Sequence, residues 1–472
     1  VIEGNTLTRE IRSSLGRGML LTNKAGGYYS TGAKTKSNGL FFRLDGRLYK
    51  ILDSMTTPGE IKSVTNNFWS LETKKPHFSE RFFMPLYTNT LVYELSAPAP
   101  VDLFLDMREA DDYRSAGRAH KITIGKNLVL VEYTKSGDTS EESARHGYHL
   151  YLAIAGESFL HREKIGKWVK VEYELDRQLG QPPFESQVYH AIRLFSRKMV
   201  LSASLSRKEA IDHAKKVFQD LPRLSEIQRQ YLGITLRRTG RKDIDAAHKA
   251  AANSLDALSF KQENQLHIYD GLPFSPRQSG LAETISLKAL IQDGRLEASK
   301  EIIMRQLDEI EKNPQAADIA LLGWYLKRWA DLITLLSEKG IYQEHLRGEE
   351  IERITKRLEK IVDSTLHSCA DEEGFAIAGP NQSWMSSIER PGPRIELQAM
   401  RLATYHLMYK LTLNEEYLQK ELELKKKVLD RFWNGKYLKD GLNDGTIRPN
   451  LFIAAYLYPD LLMKKEWETC FS

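Results

Sequence analysis

The spacing of hydrophobic residues divides the chain into two parts. From Gly39 to about Leu205, apolar and polar residues alternate in short runs such as GLFFRLDGRLYKIL, NLVLVEYTKSG and KWVKVEYEL, separated by Asp-Gly, Pro and Gly. A period of two, with many β-branched and aromatic residues, is typical of half-buried antiparallel strands. This part of the sequence therefore predicts a β-sandwich domain over residues 1–206.

Beyond residue 207 the hydrophobic period changes to that of an α-helix. In IERITKRLEKIVDSTL, for example, Ile351, Ile354 and Leu358 fall on one face. Stripes of this kind predict eight helices from residue 241 to residue 472, packed in pairs as a hairpin array or a toroid. The segment SRKEAIDHAKKVFQDL predicts a helical linker over residues 207–240. The predicted fold class is α+β with several domains.

Two adjacent glycines in LTNKAGGYYS (residues 21–30) raise the question of a phosphate-binding loop. Such a loop runs from a strand directly into a helix, and the Walker type ends in Gly-Lys-Ser/Thr. Here Gly26 and Gly27 are followed by Tyr28, Tyr29 and more sequence of strand type. We therefore predict a β-hairpin turn at the glycines, with the tyrosines packed in the sandwich.

Composition and charge argue against several classes of function. Of 472 residues, 41% are hydrophobic and 28% are charged, and the net charge of +5 is not clustered, so we expect no nucleic-acid partner. The apolar runs are shorter than the roughly 20 residues of a membrane span, so we expect no membrane partner. Cys369 and Cys470 lack metal-site spacing. The predicted location is cytoplasmic, although the start at Val1 leaves a removed leader open.

Three loops between the predicted helices combine glycine and proline with charged or amide residues. They are YDGLPFSPRQSGLAET (269–284), GPNQSWMSSIERPGPRIELQ (379–398) and NDGTIRPNLF (443–452), and each leads into a helix. If these loops gather at one mouth of a toroid, one cavity is lined by Trp384, Arg390, Glu396, Arg448 and Asn450. This mixture predicts a carbohydrate pocket, because sugars pack on aromatic faces and bond charged or amide groups. Alternatively, the loops only end helices and the charges are solvated.

Taken together, these stretches resemble the amylo-alpha-1,6-glucosidase family, the glucosidase part of glycogen debranching enzymes. LLTNKAGGYYS followed by NGLFF is similar to the family's N-terminal sandwich signature, and IRPN at 447–450 to its Ile-Arg-Pro-Asn motif. GPRIELQAMR is similar to a family helix start that carries Glu and Asn, matched by Glu396 and Gln398. Asp318 and Trp324 resemble a family Asp and Trp that line the sugar site, with the Trp two positions further on than usual. The resemblance implies a sandwich, an (α/α)6 toroid and an α-glucan oligosaccharide or polysaccharide as partner.

The match to the family fails at the position of the general acid. In the family the general acid is an Asp in a Trp/Gly-x-Arg-Asp motif before an ISL-like helix. The corresponding sequence here is SGLAETISL, and alignment without gaps places the family's Arg on Leu281 and its Asp on Ala282. Alanine cannot donate a proton, so the predicted catalytic residue is Glu283, one position later. Its alternative role is a first-turn residue favoured by the helix dipole. Compensating reading-frame errors are a third explanation, because the codons for Ser-Gly-Leu-Ala can read Trp-Thr-Arg in a neighbouring frame.

The number of predicted helices also departs from the family, whose toroid has twelve. The chain reaches eight and stops at EWETCFS, so we predict a toroid that is incomplete at the C-terminus. Glycosidases of this kind need two carboxyl groups across the scissile bond. The second lies near the C-terminal end of the family's barrel and is predicted to be missing here. A partner chain that completes the toroid, a longer natural protein or a truncated gene would each account for this.

Three functions follow from these observations. The first is release of glucose from α-1,6 branch stubs of glycogen-like polymers by acid and base catalysis with inversion, for which no metal or cofactor is predicted. The second is a glycan-binding protein on the same fold with impaired catalysis. The third is a related toroidal α-glycosidase or a phosphorylase, for which Arg390, Arg394 and Arg448 could form the anion site.

Overall fold

The computed structural model describes residues 2–3, 6–10, 18–137, 147–231, 239–313, 318–385 and 388–472. The chain forms two compact units, Val1–Arg277 and Gln278–Ser472. This division differs from the predicted boundaries, because residues 207–277, assigned from the sequence to a linker and to the start of the toroid, belong to the first unit. Residues 232–238 of the predicted linker lie outside the described residues.

The first unit contains a large sheet of antiparallel strand pairs, as the alternating pattern predicts. Its strands are β1 (Ile2–Glu3), β2 (Thr6–Glu10), β3 (Met19–Thr22), β4 (Tyr28–Thr31), β5 (Gly39–Leu44), β6 (Arg47–Thr56), β7 (Ser63–Asn66), β8 (Ser70–Lys74), β9 (Ser79–Phe83), β10 (Thr90–Glu109), β11 (Arg118–Ile124), β12 (Leu128–Lys135), β13 (Tyr148–Gly156), β14 (His161–Glu172) and β15 (Glu185–Ser204). The order β1-β2-β7-β8-β9-β10-β15-β13-β12-β11 forms the main path, and β3-β4-β5-β6 joins it at β10.

Strand β10 shows how the period of two builds the core. Leu91, Tyr93 and Leu95 point to one face and belong to a buried cluster that includes residues of β5, β6, β12 and β13. Val92 points to the other face and packs with Val217 from the segment that follows the sheet. Both faces of this strand are therefore covered, one by sheet residues and the other by helices.

The glycines of LTNKAGGYYS form the predicted hairpin turn, between β3 and β4. Gly26 has a φ of +82°, and a Cβ atom there would lie 2.9 Å from Phe260 Cδ2. The Asn23 side chain accepts hydrogen bonds from the backbone N–H groups of Ala25 and Gly27 and closes the turn. Backbone conformation and close packing therefore both require glycine at position 26.

Among the described residues, four helices and a small sheet complete the first unit. They are α1 (Glu174–Gln178), α2 (Arg207–Gln219), α3 (Leu221–Tyr231) and α4 (Lys242–Leu258), followed by β16 (Ser259–Gln262), β17 (Gln265–Gly271) and β18 (Ser275–Gln278), the last of which crosses the division between the units. The sequence predicted helices α2 and α4 but not the three strands. Tyr269 of β17 donates its hydroxyl to the Gly26 carbonyl, so this sheet packs on the hairpin turn rather than continuing a helical array.

The described part of the second unit is almost entirely helical. Its helices are α5 (Gly280–Gln292), α6 (Leu296–Lys312), α7 (Ile319–Glu338), α8 (Tyr342–His345), α9 (Gly348–Ser368), α10 (Ile395–Thr412), α11 (Glu415–Phe432), α12 (Asn450–Leu457) and α13 (Lys464–Phe471), with short strands β19 (Ile377–Ala378) and β20 (Gly392–Pro393). Every apolar stripe predicted from residue 241 onward lies on a helix in the structure. The short helices α8 and α13 were not predicted. Pro459 follows α12 and ends it earlier than its apolar pattern suggests.

Candidate functional site

Helices α5 and α7 begin next to each other and run in the same direction. A Cβ atom on Gly280, the first residue of α5, would lie 3.4 Å from Leu321 Cδ1 in the first turn of α7. Further along both helices, Lys288 Nζ lies 3.2 Å from Asp331 Oδ1. The contacts advance together from the N-terminal ends, so the two helices are parallel.

Helices α7 and α10 also meet near their first turns. Gly323 is the fifth residue of α7, and a Cβ atom there would lie 2.5 Å from the Cβ of Met400, the sixth residue of α10. Only glycine permits such an approach. The starts of α10 and α12 are joined by hydrogen bonds to Asp440, described below. The first turns of α5, α7, α10 and α12, where backbone N–H groups lack helical partners, are thus linked to one another.

Arg390 is the centre of a buried ion network immediately before α10. Its Nη1 and Nη2 donate to Glu396 Oε1 at 2.8 Å and Oε2 at 3.1 Å, while Nε and Nη2 donate to Asp440 Oδ2 at 2.9 Å and Oδ1 at 2.8 Å. The three residues are 2%, 0% and 1% exposed. Burial alone would lower the pKa of Arg390, but its hydrogen bonds to both carboxylates raise it. Bidentate pairing on two sides holds the guanidinium in one orientation.

Two more arginines extend this network. Arg394 Nη1 and Arg448 Nη1 donate to Asp440 Oδ2 at 3.2 and 3.0 Å, and to Asp444 Oδ2 at 3.1 and 2.7 Å. The hydrogen bond from the Thr446 hydroxyl, followed by the contact with Arg448, holds the pKa of Asp444 well below its usual range. With the central arginine and its glutamate, the cluster contains three guanidinium groups and three carboxylates. These charges balance, which leaves little excess positive charge for a phosphate site.

Asn450 and Trp384 connect the network to the surface. Asn450 is fully buried as the first residue of α12, and its Nδ2 donates to Asp440 Oδ1 at 2.6 Å. Its Oδ1 accepts from Trp384 Nε1 at 2.8 Å. Trp384 itself is 39% exposed. The indole is therefore fixed through its nitrogen, while part of its ring remains accessible to a ligand.

Gln398 has a different environment from Glu396, although both lie in the first turn of α10. Its Nε2 donates to the Ala376 carbonyl at 2.7 Å, and its Oε1 accepts from the Ala376 N–H at 2.8 Å. The side chain is fully buried. Gln398 therefore attaches the chain before β19 to α10, and its predicted contact with substrate stays a prediction.

Glu283 lies in the first turn of α5, but its side chain is directed toward α6. It is 2% exposed, and its Oε2 accepts hydrogen bonds from Arg305 Nη2 at 2.5 Å and Gln306 Nε2 at 3.3 Å. Burial would lower the pKa of Arg305, but Glu283 and Glu309 raise it. One oxygen of the predicted catalytic carboxyl is therefore bonded within the helix pair. Its catalytic role stays a prediction.

Asp318 and Trp324 belong to the beginning of α7. Asp318 caps this helix, and its Oδ1 accepts from the Leu321 N–H at 2.8 Å. Burial raises the pKa of its carboxyl in spite of the hydrogen bonds from the helix backbone. Trp324 is 8% exposed, its ring lies 6.1 Å from that of Tyr456, and its Nε1 has no hydrogen-bond partner among the described residues. That N–H group remains available as a donor.

The structure brings together residues from two of the three loops, 379–398 and 443–452, while Glu283 of the loop 269–284 is bonded to Arg305 instead. The hydrogen-bonded cluster contains Trp384, Arg390, Glu396, Arg448 and Asn450. Their binding roles remain predictions. Asp440 was not predicted, yet its carboxylate accepts hydrogen bonds from three of these residues, Arg390, Arg448 and Asn450, and also from Arg394. The signal available was the need of buried arginines for carboxylates, which the segment KDGLND supplies next to IRPN.

Two further properties concern metals and membranes. Within the described ranges, no group of three or more His, Cys, Asp and Glu side chains is placed to hold a metal ion. Of the helices in that part of the chain, none is both long and apolar enough to span a membrane.

Comparison with known proteins identifies a fold but no sequence family. No family model and no curated protein matches the chain. Among solved structures, a bacterial glucoamylase complexed with acarbose is similar with a TM-score of 0.53 and 11% identity, over 94% of this chain and 74% of that chain. A rhamnosidase from Klebsiella oxytoca with rhamnose bound has a TM-score of 0.38 and 12% identity, over 74% and 71% of the two chains. The likeness to the glucoamylase shows a shared fold.

Proposed function

We propose that the chain is a glycan-active protein that binds α-linked glucan where α5, α7, α10 and α12 begin. The observation that carries this proposal is the fold shared with a glucoamylase whose structure contains acarbose. The debranching-family resemblance of IRPN and RIELQ adds the finer proposal that the substrate is an α-1,6-linked glucose stub of a glycogen-like polymer. Function depends on the site rather than the fold, so the side chains at these helix starts have to account for binding and catalysis.

Trp384 is the residue proposed to contact the sugar most directly. It is exposed beside a network whose centre is buried, and its Nε1 is bonded to Asn450, which is in turn bonded to Asp440. A ring held by such a chain of bonds loses little conformational freedom when a ligand packs on it. The ion network therefore supports the indole and the neighbouring first turns, while Arg448, which is partly exposed, is near enough to the surface to bond hydroxyl groups.

Hydrolysis would also require a protonated carboxyl group near the glycosidic oxygen. Glu283 is the predicted acid, but its Oε2 is bonded to Arg305, so this contact has to change before that oxygen serves a substrate. Asp318 is a further candidate, because burial raises the pKa of its carboxyl. The pairing of Glu283, together with Ala282 at the family's acid position, favours the alternative function of a glycan-binding protein with impaired catalysis.

Replacement of Trp384 by alanine tests the binding site. We expect Trp384→Ala to weaken maltooligosaccharide binding by about 1–3 kcal/mol, the range for loss of an aromatic stacking partner. Isothermal titration calorimetry measures this directly. Trp168→Ala is the matched control, since Trp168 is a similarly exposed tryptophan (42%) of the first unit. Equal affinities of Trp384→Ala and the unchanged protein would remove Trp384 from the proposed site.

Glucose release from a branched limit dextrin tests the reaction. We expect little or no turnover by the unchanged chain and a gain with Ala282→Asp. If the unchanged chain turns over substrate and Glu283→Gln abolishes this turnover, Glu283 is the general acid. If only Asp318→Asn abolishes the turnover, Asp318 is the general acid instead. Oligosaccharide binding without turnover in any variant would establish the binding-protein alternative. Release of glucose 1-phosphate that depends on phosphate would contradict both and indicate a phosphorylase.

A further inference from the structure

A cavity of about 360 Å³ in the first unit contains none of the residues discussed above as a glycan site. Strands β3 and β7 and helices α3 and α4 contribute to its wall. The wall contains two amide side chains, Gln228 from α3 and Asn253 from α4, together with the aromatic rings of Trp69 and Tyr231. Its volume lies in the range of small-molecule sites, roughly 300–1,000 Å³.

Each of the two amides has a polar atom without a hydrogen-bond partner among the described residues. Gln228 is 4% exposed, and its Nε2 donates to the Met84 carbonyl, but its Oε1 has no hydrogen-bond partner among the described residues. Asn253 Nδ2 is also buried without a partner in that part of the chain. Buried polar atoms are nearly always paired in native proteins. An unpaired acceptor and an unpaired donor on two residues that line one cavity therefore leave hydrogen-bonding capacity that a bound molecule can use if the two amides turn toward it.

The charged groups of the wall compensate each other. Lys24 Nζ lies 2.7 Å from Asp256 Oδ2, and the Tyr231 hydroxyl donates to Asp256 Oδ1 at 3.1 Å. One positive and one negative group in contact present no net charge to a ligand. A neutral molecule therefore suits this cavity better than a phosphate or a carboxylate.

We propose that this cavity is a second binding site, for a neutral polyhydroxylated molecule of monosaccharide size. A hydroxyl group both donates and accepts, so adjacent hydroxyls can satisfy Gln228 Oε1 and Asn253 Nδ2 together. The terminal torsions of amide side chains have broad energy wells, which lets both groups turn toward the ligand. The aromatic rings offer apolar surface for the C–H groups of the same molecule. This site does not depend on the function proposed for the second unit.

The variant Asn253→Leu provides the sharpest test. Leucine has a similar volume and removes the unpaired donor, so we expect unchanged or raised thermal stability. We expect binding of D-glucose, followed by saturation-transfer NMR and calorimetry, to weaken about tenfold, which corresponds to one lost hydrogen bond. Gln228→Met is a second variant with the same expected loss. Fluorescence of Trp69, compared with a Trp69→Phe variant, reports whether the ligand is in this cavity.

Trp384→Ala is the control that separates this site from the glycan site of the second unit. We expect it to leave the Asn253-dependent binding of glucose unchanged, whether or not it affects oligosaccharide binding. Glucose binding that Trp384→Ala abolishes and Asn253→Leu leaves intact would overturn the proposal. The proposal would also be overturned if glucose did not bind, or if both amide variants bound it normally, because the cavity would then contain ordered water only.

Discussion

Removal of the Arg390 guanidinium is the most informative perturbation of the ion network. Arg390→Met keeps much of the side-chain volume but leaves the buried Glu396 without its arginine and deprives Asp440 of one. Loss of one partner of a buried ion pair costs about 3–5 kcal/mol, because an uncompensated charge remains out of water. We expect the free energy of unfolding of the second unit to fall by about this amount.

A matched control is available on the surface of the same unit. Arg431 Nη1 lies 2.8 Å from Glu373 Oε2, but the two side chains are 50% and 55% exposed. Since exposed pairs contribute about 0–1 kcal/mol, Arg431→Met should change stability by no more than this. Guanidinium chloride unfolding, followed by tryptophan fluorescence, gives both values, with separate fits if the two units unfold in separate transitions.

The reason for the loss can be checked by a second substitution. Both Glu396 hydrogen bonds shown in the structure are to Arg390, so Glu396→Gln in the Arg390→Met background removes the uncompensated charge. We expect the double variant to recover part of the lost stability. The stability of Arg390→Lys should lie between those of the unchanged protein and Arg390→Met, because lysine keeps the charge without the bidentate geometry. Equal losses for Arg390→Met and Arg431→Met would refute the reasoning.

Two other substitutions test the backbone and electrostatics of the structure. Gly26→Ala should lower the free energy of unfolding by about 1–3 kcal/mol because of the positive φ and the contact with Phe260. The control Gly348→Ala, in open space at the start of α9, should be neutral or stabilising. Equal effects of the two substitutions in thermal unfolding would contradict this prediction. The raised pKa of Asp318 means that the folded protein binds a proton more tightly than the unfolded chain, so its contribution to stability falls as pH rises from about 3.9 through the folded value. Asp318→Asn, which keeps the helix cap, should therefore gain stability relative to the unchanged protein over this interval, and a difference independent of pH in urea unfolding would count against a raised pKa.

Local patterns in the sequence were sufficient for most individual elements. Alternation of apolar residues marked strands such as β5 and β6, and the Asp-Gly at 45–46 marked the turn between them. Helical stripes identified the long helices of the second unit, since a helix that packs by one face needs apolar residues every three or four positions. The small sheet β16–β18 was missed because its runs are short and lie between segments of helical period.

The sequence by itself determined the order and type of most elements and singled out the loops that carry Trp384, Arg390 and Arg448, because these depend on residues close together in the chain. The tertiary structure alone decided which side chains are partners. Arg390 is fifty residues from Asp440, and the Glu283 carboxylate pairs with an arginine of the next helix, so no local pattern reveals either contact. Long-range pairs of this kind depend on how the helices and the segments before them pack together, and that packing is a property of the whole unit.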